Sequence, residues 1–213
     1  MMHVILKREG LVVNKKRTER IYREEKLSLR RKRPKKAGTG LRVPLAPVSH
    51  ENQRWSMDFI FDSIYSGRRI KCLTIVDDFT RKSPCIAVDQ SLGGHALVRI
   101  LTEIKDIHGL PKEIRVDNGP EFQSRAFYEF CLNNGIKLHF IRPGKPMENG
   151  FVESFNGKFR NECLNEQIFL NLEDARNKIE SWREFYNNQR PHSSLNGLSP
   201  KEFIDQHCQK KAA

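Results

Sequence analysis

Two aspartates, Asp58 and Asp117, occupy unusual positions in the sequence. Asp58 lies where a charge is costly, and Asp117 lies where a ligand could bind. Asp58 lies inside the apolar run WSMDFIFDSI, where an unpaired ionised carboxylate carries a large desolvation penalty. Asp117 ends the β-branched run IRVD and begins an Asn-Gly-Pro turn, at the carboxyl end of a predicted strand. Ligands bind at such strand ends in open α/β sheets. A single aspartate in a strand is also explained by an edge or a bulge.

A third acid, Glu153, comes from the segment PGKPMENGFVESFNGKFRNECLN (143–165), a Pro/Gly loop that runs into a predicted helix. Glu153 and Arg160 lie two turns apart on a polar arc of this helix, together with Asn149 and Asn156. Such spacing alone is weak evidence, because similar pairs often only solvate a helix. The adjoining arc is apolar and predicted to be buried. Its residues are Phe151, Val152, Phe155, Phe159 and Cys163.

Three carboxylates from two strands and a helix suit a hard divalent cation, Mg²⁺ or Mn²⁺, better than zinc. No cluster of His and Cys competes with them, since the five cysteines are scattered and His108, His139 and His192 have no partner at metal-binding spacing. Two such ions can activate a water or a sugar hydroxyl and stabilise the leaving oxygen of a phosphodiester. The sequence therefore indicates phosphodiester chemistry without a covalent nucleophile.

The net charge of +12 is concentrated at the beginning of the chain, because residues 1–42 carry 15 Lys or Arg and 4 Glu. The stretch LRRKRPKKAG (29–38) is typical of an arm that follows a phosphate backbone, and a solvated tail is the other interpretation. No apolar run is long enough for a membrane span or a signal peptide, so we expect a soluble, intracellular protein. The candidate phosphate contacts in the arm are Arg30, Arg31, Lys32, Arg33, Lys35 and Lys36.

The nearly neutral remainder is predicted to form a mixed sheet with helices packed on it. Three strands in an antiparallel meander precede a helix, a strand, a helix and a fifth strand. The predicted strands are residues 54–65, 69–79, 84–89, 112–117 and 136–141, and the helices between them are 95–109 and 126–135. The predicted organisation is a basic helical segment with its linker at 1–47, containing a pair of short helices around Gly10, an α/β core at 48–205, and a tail at 206–213.

Several motifs together resemble the catalytic protein of bacterial insertion sequences that has a retroviral-integrase-type core and is encoded by a second reading frame. The resemblance covers residues 54–203, and its motifs are WSMDF, LTIVDDFTR, IRVDNGPEF, PGKPMENGFVESFNGKFRNECLN and YNNQRPHSSLNGLSPKEF. It implies a ribonuclease H-like fold with five strands and flanking helices. The family's DDE triad falls on Asp58, Asp117 and Glu153, with the family's 35 residues between the last two.

The same resemblance implies a DNA transposase that uses Mg²⁺ or Mn²⁺ to nick the element's ends, and then joins the freed 3′-hydroxyl to target DNA. Arg160, seven residues after Glu153, would hold DNA near the cut together with Lys145 and Lys158. The basic start resembles the end of a helix-turn-helix segment. We therefore expect an upstream-frame partner or a fused extension to supply the missing helices, and a homo-oligomer to assemble on DNA.

Two alternative functions remain open for these residues. One is a nuclease of the same fold that hydrolyses nucleic acid without strand transfer, and the other is an inactive DNA-binding relic. Three further acids, Asp62, Asp77 and Asp78, are predicted to have structural roles, because carboxylates at strand ends cap turns.

Overall fold

The amino terminus forms a pair of short helices. The structure is a computed structural model that describes residues 1–12, 14–27, 47–142 and 149–212. Helix α1 (Met2–Arg8) and helix α2 (Lys15–Glu24) are joined through a turn in which Gly10 has φ +71°, as predicted. Asn14 is the N-cap of α2, because its side chain accepts a hydrogen bond from the backbone N–H of Lys16.

The core is a five-stranded mixed sheet. Its strands are β1 (Arg54–Ser63), β2 (Arg69–Asp77), β3 (Ile86–Asp89), β4 (Glu113–Val116) and β5 (Lys137–Phe140). Their order is β3-β2-β1-β4-β5, with β1, β2 and β3 antiparallel and with β4 and β5 parallel to β1. The sheet confirms the predicted meander followed by parallel strands.

Helices cover both faces of this sheet. They are α3 (Gly94–His108), α4 (Arg125–Asn133), α5 (Gly150–Phe159), α6 (Leu172–Asn188) and α7 (Pro200–Ala212). Helices α3 and α4 pack against the face that carries Trp55 and Met57. Helices α5 and α6 pack against the other face, which carries Ile60 and Cys72. Alternation along β1 therefore decides which core each side chain joins.

Seven strand boundaries lie one or two residues inside the predicted ones, and three of them bear on the turns and on the site. β1 ends at Ser63 rather than Tyr65, because the chain turns at Gly67 with φ +79°. β3 begins at Ile86 rather than Pro84, since proline has no N–H to pair with a neighbouring strand. β4 ends at Val116, which leaves Asp117 as the first residue after the strand.

Helix α5 buries most of the predicted apolar stripe. Phe155 and Phe159 pack against Trp182 and Tyr186 of α6, with a centroid distance of 4.8 Å between the rings of Phe155 and Tyr186. The α-helix then widens into a π-helical turn, Arg160–Leu164. Val152 and Cys163 complete the buried stripe, whereas Phe151 is only half-buried.

None of the helices in the described parts of the chain combines the length and the apolar character that crossing a bilayer requires.

Candidate active site

Asp58 and Asp117 lie side by side at one level of the sheet. The parallel register pairs Ser56 of β1 with Arg115 of β4, and two further residues along each chain lead to Asp58 and Asp117. Both side chains project toward the same face, because alternation repeats every two residues. This is the face covered by α5. The strand-end argument made from the sequence concerned Asp117, and the register of β1 with β4 places Asp58 beside it.

Glu153 approaches this pair from the first turn of α5. The pKa of Asp58 is raised to about 6, mainly by burial and also by the negative charges of Asp117 and Glu153, while hydrogen bonds from Phe59 and Asn156 lower it. Partial burial also raises the pKa of Glu153. The negative charges of Asp117 and Glu153 therefore both act on Asp58, where they disfavour its ionised form.

Two asparagines of the α5 segment fix the strand that carries Asp58. The Asn156 side chain donates to Asp58 Oδ2 at 2.9 Å, while the Phe59 backbone N–H donates to Asp58 Oδ1 at 2.8 Å. Asn149, which is buried at the start of α5, donates to the carbonyl of Met57 at 3.2 Å. Sequence reasoning found both asparagines on the polar arc of the helix and assigned neither a role. Their partners are more than 90 residues away, and no local signal identifies them.

The Asn-Gly-Pro turn holds Asp117. Its Oδ1 accepts a hydrogen bond from the Gly119 backbone N–H at 2.9 Å. A Cβ atom at Gly119 would lie 3.0 Å from that same Oδ1, so a side chain there would press on the carboxylate. The glycine in this turn therefore leaves space beside Asp117.

Arg160 does not pair with Glu153, although the two lie on the same helical arc. Its guanidinium reaches β1, where it binds Asp62 at 2.9 Å and the carbonyl oxygen of Phe61. Lys158 lies in a different environment, where burial and then the charge of Arg190 lower its pKa. Lys145 and the predicted contacts at positions 30–36 lie outside the described residues.

The other acids singled out in the sequence have internal partners. Asp77 caps the β2–β3 turn, accepting from the backbone N–H groups of Phe79 and Thr80 as predicted. Asp78 caps no turn; it is fully buried, where it accepts from Ser56 Oγ at 2.6 Å and lies 3.8 Å from Arg115. Asp62 belongs to the Arg160 ion pair. The turn-capping prediction is therefore correct for Asp77 and wrong for Asp78, because the Asp78 side chain points into the core.

Comparisons with known proteins decide the family. An integrase core domain model matches residues 48–146, and a second integrase core domain model matches residues 134–200. The chain is 47% identical over 206 residues to the insertion element IS407 31.7 kDa protein of Burkholderia multivorans, covering 97% of this chain and 74% of that protein. This chain belongs to the insertion-element transposases with an integrase core domain.

A second relative of the transposase is the 39.2 kDa protein of insertion element IS476 from Xanthomonas euvesicatoria, 48% identical over 202 residues. The alignment covers 95% of this chain and 58% of that relative, so the relative is much longer. A third is the transposase InsK of IS150 from Escherichia coli K12, 23% identical over 94% of this chain and 75% of the relative.

Solved structures confirm the ribonuclease H-like fold of this transposase. The HTLV-2 integrase catalytic core domain in complex with magnesium aligns with a TM-score of 0.57 and 22% identity, over 71% of this chain and 95% of that one. A simian T-cell lymphotropic virus intasome structure gives a TM-score of 0.64 and 17% identity, over 78% of this chain and 60% of that one.

The donor chemistry at the site of the transposase fits a divalent cation. Within the described ranges, no lysine or arginine forms an ion pair with Asp58, Asp117 or Glu153. Their carboxylate oxygens are hard ligands, and a cation would relieve the repulsion from Asp117 and Glu153, which adds to burial in raising the pKa of Asp58. No three acid, histidine or cysteine side chains in those ranges already converge as a metal-binding group. The residues fit the group chemically, and binding would draw the carboxylates together.

Proposed function

We propose that this transposase catalyses divalent-metal-dependent strand cleavage and strand transfer at the ends of a mobile element, with Asp58, Asp117 and Glu153 as its catalytic triad. The observation that carries the proposal is the electrostatic coupling of three carboxylates, none with an ion-pair partner among the described residues, beside the end of a central strand. Such an arrangement is costly to the fold and is useful only to a bound cation.

Asp58, Asp117 and Glu153 would hold Mg²⁺ or Mn²⁺. Bound there, the ions supply activation of a water or 3′-hydroxyl and stabilisation of the leaving phosphodiester oxygen. The chain's own contribution is orientation: Asn156 and the Phe59 N–H hold the two oxygens of Asp58, and the Gly119 N–H holds one oxygen of Asp117. These neutral donors fix the carboxylates without cancelling their charge.

Phosphate contacts are assigned to the basic residues named from the sequence. Residues 1–42 are expected to supply most of the sequence-independent affinity for DNA, because they carry almost all of the net positive charge. Arg160 would act at the border of the site, through a guanidinium already oriented by Asp62. Lys145 and Lys158 complete the proposed set near the cut, together with the arm at 30–36.

The arm is tested by deleting residues 1–42 and titrating end and scrambled duplexes at several salt concentrations. For every phosphate that the shortened chain no longer neutralises, the slope of log affinity against log salt should become shallower by about 0.9. The 43–213 chain should keep a cooperative thermal unfolding transition, since the sheet and helices α3 to α7 lie within it, and its circular dichroism spectrum should lose only the signal of α1 and α2. An unchanged salt slope would show that other residues neutralise the phosphates.

Partners are proposed from length and fold. This chain spans 74% and 58% of its first two relatives, so an upstream-frame product or a fused extension is expected to supply further DNA-reading elements. A homo-oligomer on DNA is proposed from its likeness to a chain of a viral intasome. The test is to titrate end duplexes with the chain alone and with the upstream-frame product, where only the mixture should prefer the end sequence.

The decisive experiment is incubation of a labelled element-end duplex and a target plasmid with the chain, its upstream-frame partner and Mg²⁺. Joined products support strand transfer. Cleaved ends without joined products would support the nuclease, and intact DNA under all conditions would support the inactive relic. The Asp117→Asn variant is the control, because it removes one carboxylate and leaves the basic residues in place.

A further inference from the structure

A buried lysine stands behind the site, on the opposite face of the sheet. Lys71 of β2 pairs with Phe61 of β1 in the antiparallel register, so it belongs to the face packed by α3 and α4. Its side chain is only 10% exposed. A buried ammonium is costly unless it is paired, so its partners indicate why it is there.

The partners of Lys71 lie on the elements that flank the site. Its Nζ forms an ion pair with Glu121, donates to the carbonyl of Leu92 at 3.4 Å, and lies 3.9 Å from the centroid of the Phe59 ring. Phe59 is the neighbour of Asp58 on β1, and Glu121 belongs to the turn that begins at Asp117. One ammonium therefore contacts the strand of the first aspartate and the turn of the second.

An aromatic stack reinforces the same connection. The ring of Phe122, next to Glu121, stacks on Phe59 with centroids 5.1 Å apart and an interplanar angle of 28°. Phe122 is fully buried. The turn after Asp117 is thus attached to β1 by one apolar contact and one charged contact, both made on the face opposite to the carboxylates.

Glu121 would otherwise compete for the cation. A Cβ atom built at Gly119 lies 3.0 Å from Asp117 Oδ1 and 3.2 Å from Glu121 Oε2, so the two carboxylates flank the same point of the turn. Burial alone would raise the pKa of Glu121, but the hydrogen bond and the positive charge of Lys71 help to lower it. The ion pair with Lys71 therefore favours the ionised form of Glu121 and compensates its charge.

We propose that Lys71 and Glu121 are positioning residues that hold Asp117 at a fixed place relative to Asp58, through the ion pair behind the sheet. The inference rests on the proposed metal-dependent function for its catalytic meaning. Its structural content, a turn held by a buried ion pair, can be measured without metal or DNA.

The variants are Lys71→Met, Glu121→Gln and the double variant, made in the full chain. The matched control is Glu113→Gln, which breaks the Arg54–Glu113 ion pair at the other end of β1 and β4. Arg54 and Glu113 are 6% and 25% exposed, against 10% and 23% for Lys71 and Glu121, so the two pairs are buried alike. Unfolding in urea with EDTA measures the stability cost of each change.

Hydrogen exchange by mass spectrometry follows peptides covering residues 117–124. The turn amides of Phe122 and Gln123 donate to the Gly119 carbonyl at 3.1 and 3.2 Å, so they report on the order of the turn. Exchange should become about tenfold faster in Lys71→Met and Glu121→Gln and stay unchanged in Glu113→Gln. The double variant should be no worse than Lys71→Met, because both changes break the same ion pair. Unchanged exchange in the single variants overturns the proposal.

Titration with Mn²⁺, read as the rise in melting temperature without DNA, gives the second measure. The half-saturating concentration should increase about tenfold in Lys71→Met, as expected when a residue that supports a ligand is removed, and remain at the wild-type value in Glu113→Gln. Equal weakening in Glu113→Gln would overturn a specific positioning role. A wild type that does not respond to Mn²⁺ would contradict the proposed metal site, while the exchange measurement still decides whether the ion pair holds the turn.

Discussion

Asp58 and Asp78 both have a raised pKa, but the charges next to them have opposite signs. Burial is the main cause in both, and it raises the pKa of each to about 6. Around Asp78, the charges of Arg115 and Arg54 favour the ionised form. Around Asp58, the neighbouring charges are those of Asp117 and Glu153, which disfavour it.

The sign of the neighbouring charges, rather than the displacement of the pKa, therefore distinguishes the structural acid from the proposed ligand for a cation. Asp78 is compensated from within the fold. The hydrogen bonds that Asp58 receives from described residues come from neutral groups, which leave its charge uncompensated. Replacing each aspartate by asparagine tests this distinction.

The largest difference is expected in catalysis. Asp58→Asn should reduce strand cleavage by more than about 1000-fold, because a ligand of the proposed metal site is removed. Asp78→Asn should retain cleavage per folded molecule. Cleavage of a labelled end duplex measures the rate, and fluorescence anisotropy should give nearly unchanged DNA affinity for both. If Asp58→Asn retains cleavage, the assignment of the triad is wrong.

Metal-dependent stability should separate the two variants next. At a concentration of Mn²⁺ 100 times its dissociation constant, linkage stabilises a protein by about 2.7 kcal/mol. We expect Asp78→Asn to show the same rise in melting temperature as the wild type, and Asp58→Asn to lose most of it. Differential scanning fluorimetry with and without EDTA measures both. Equal rises in the two variants would locate the ion elsewhere.

Without metal, Asp78→Asn should be the variant with the larger effect, and the quantity affected is the free energy of unfolding. Asp78→Asn removes the carboxylate that compensates Arg115 and should lower the free energy of unfolding by about 2 kcal/mol. Asp58→Asn removes a charge from among like charges and should leave that free energy unchanged or slightly higher. Urea unfolding at pH 7.5 in EDTA gives both values. A larger loss in Asp58→Asn than in Asp78→Asn would contradict the distinction.

The smallest effect concerns pH. The folded-state pKa of Asp58, about 6, lies above its ordinary value of 3.8, so the folded chain takes up a proton as pH falls through 6. Protonation of Asp58 therefore stabilises the folded state. This contribution is complete below about pH 4 and is lost as pH rises through 6. Relative to Asp58→Asn, the metal-free wild type should gain about 1–2 kcal/mol between pH 7 and pH 5. If the difference in the free energy of unfolding between the two chains does not vary with pH, the pKa of Asp58 is not raised.

Much of the fold could be predicted from the sequence, because its signals are local. The alternating run around Met57 and the β-branched run before Asp117 predict strands, and Gly109 ends α3 with φ +74° as the Gly-Leu-Pro sequence indicates. The position of Asp117 at the end of its strand also follows from the sequence. That Asp58, in the middle of β1, lies beside it depends on the register of β1 with β4.

What could not be predicted are the partners that only the tertiary fold brings together. Asp58 and Asp78 lie in similar runs, WSMDF and IVDDF, and the sequence does not reveal that one meets Glu153 and the other Arg115. Lys71 is similarly hidden, since nothing in RIKCLTIVD indicates a partner 50 residues away. Side-chain pairing across elements depends on register and packing, which periodicity does not encode.

The contacts between α5 and β1 have a consequence for the evolution of the chain. Asn149 binds at Met57 and Arg160 binds at Asp62. Eleven helical residues rise about 16 Å and five strand residues also extend about 16 Å, so helix and strand match in length between these two anchors. Inserting or deleting one residue in either stretch would offset one anchor by about 1.5 Å or about 3.3 Å. We therefore expect an insertion or a deletion within 57–62 or 149–160 to break one of the two contacts, so the element carrying Glu153 should accept substitutions more readily than changes of length.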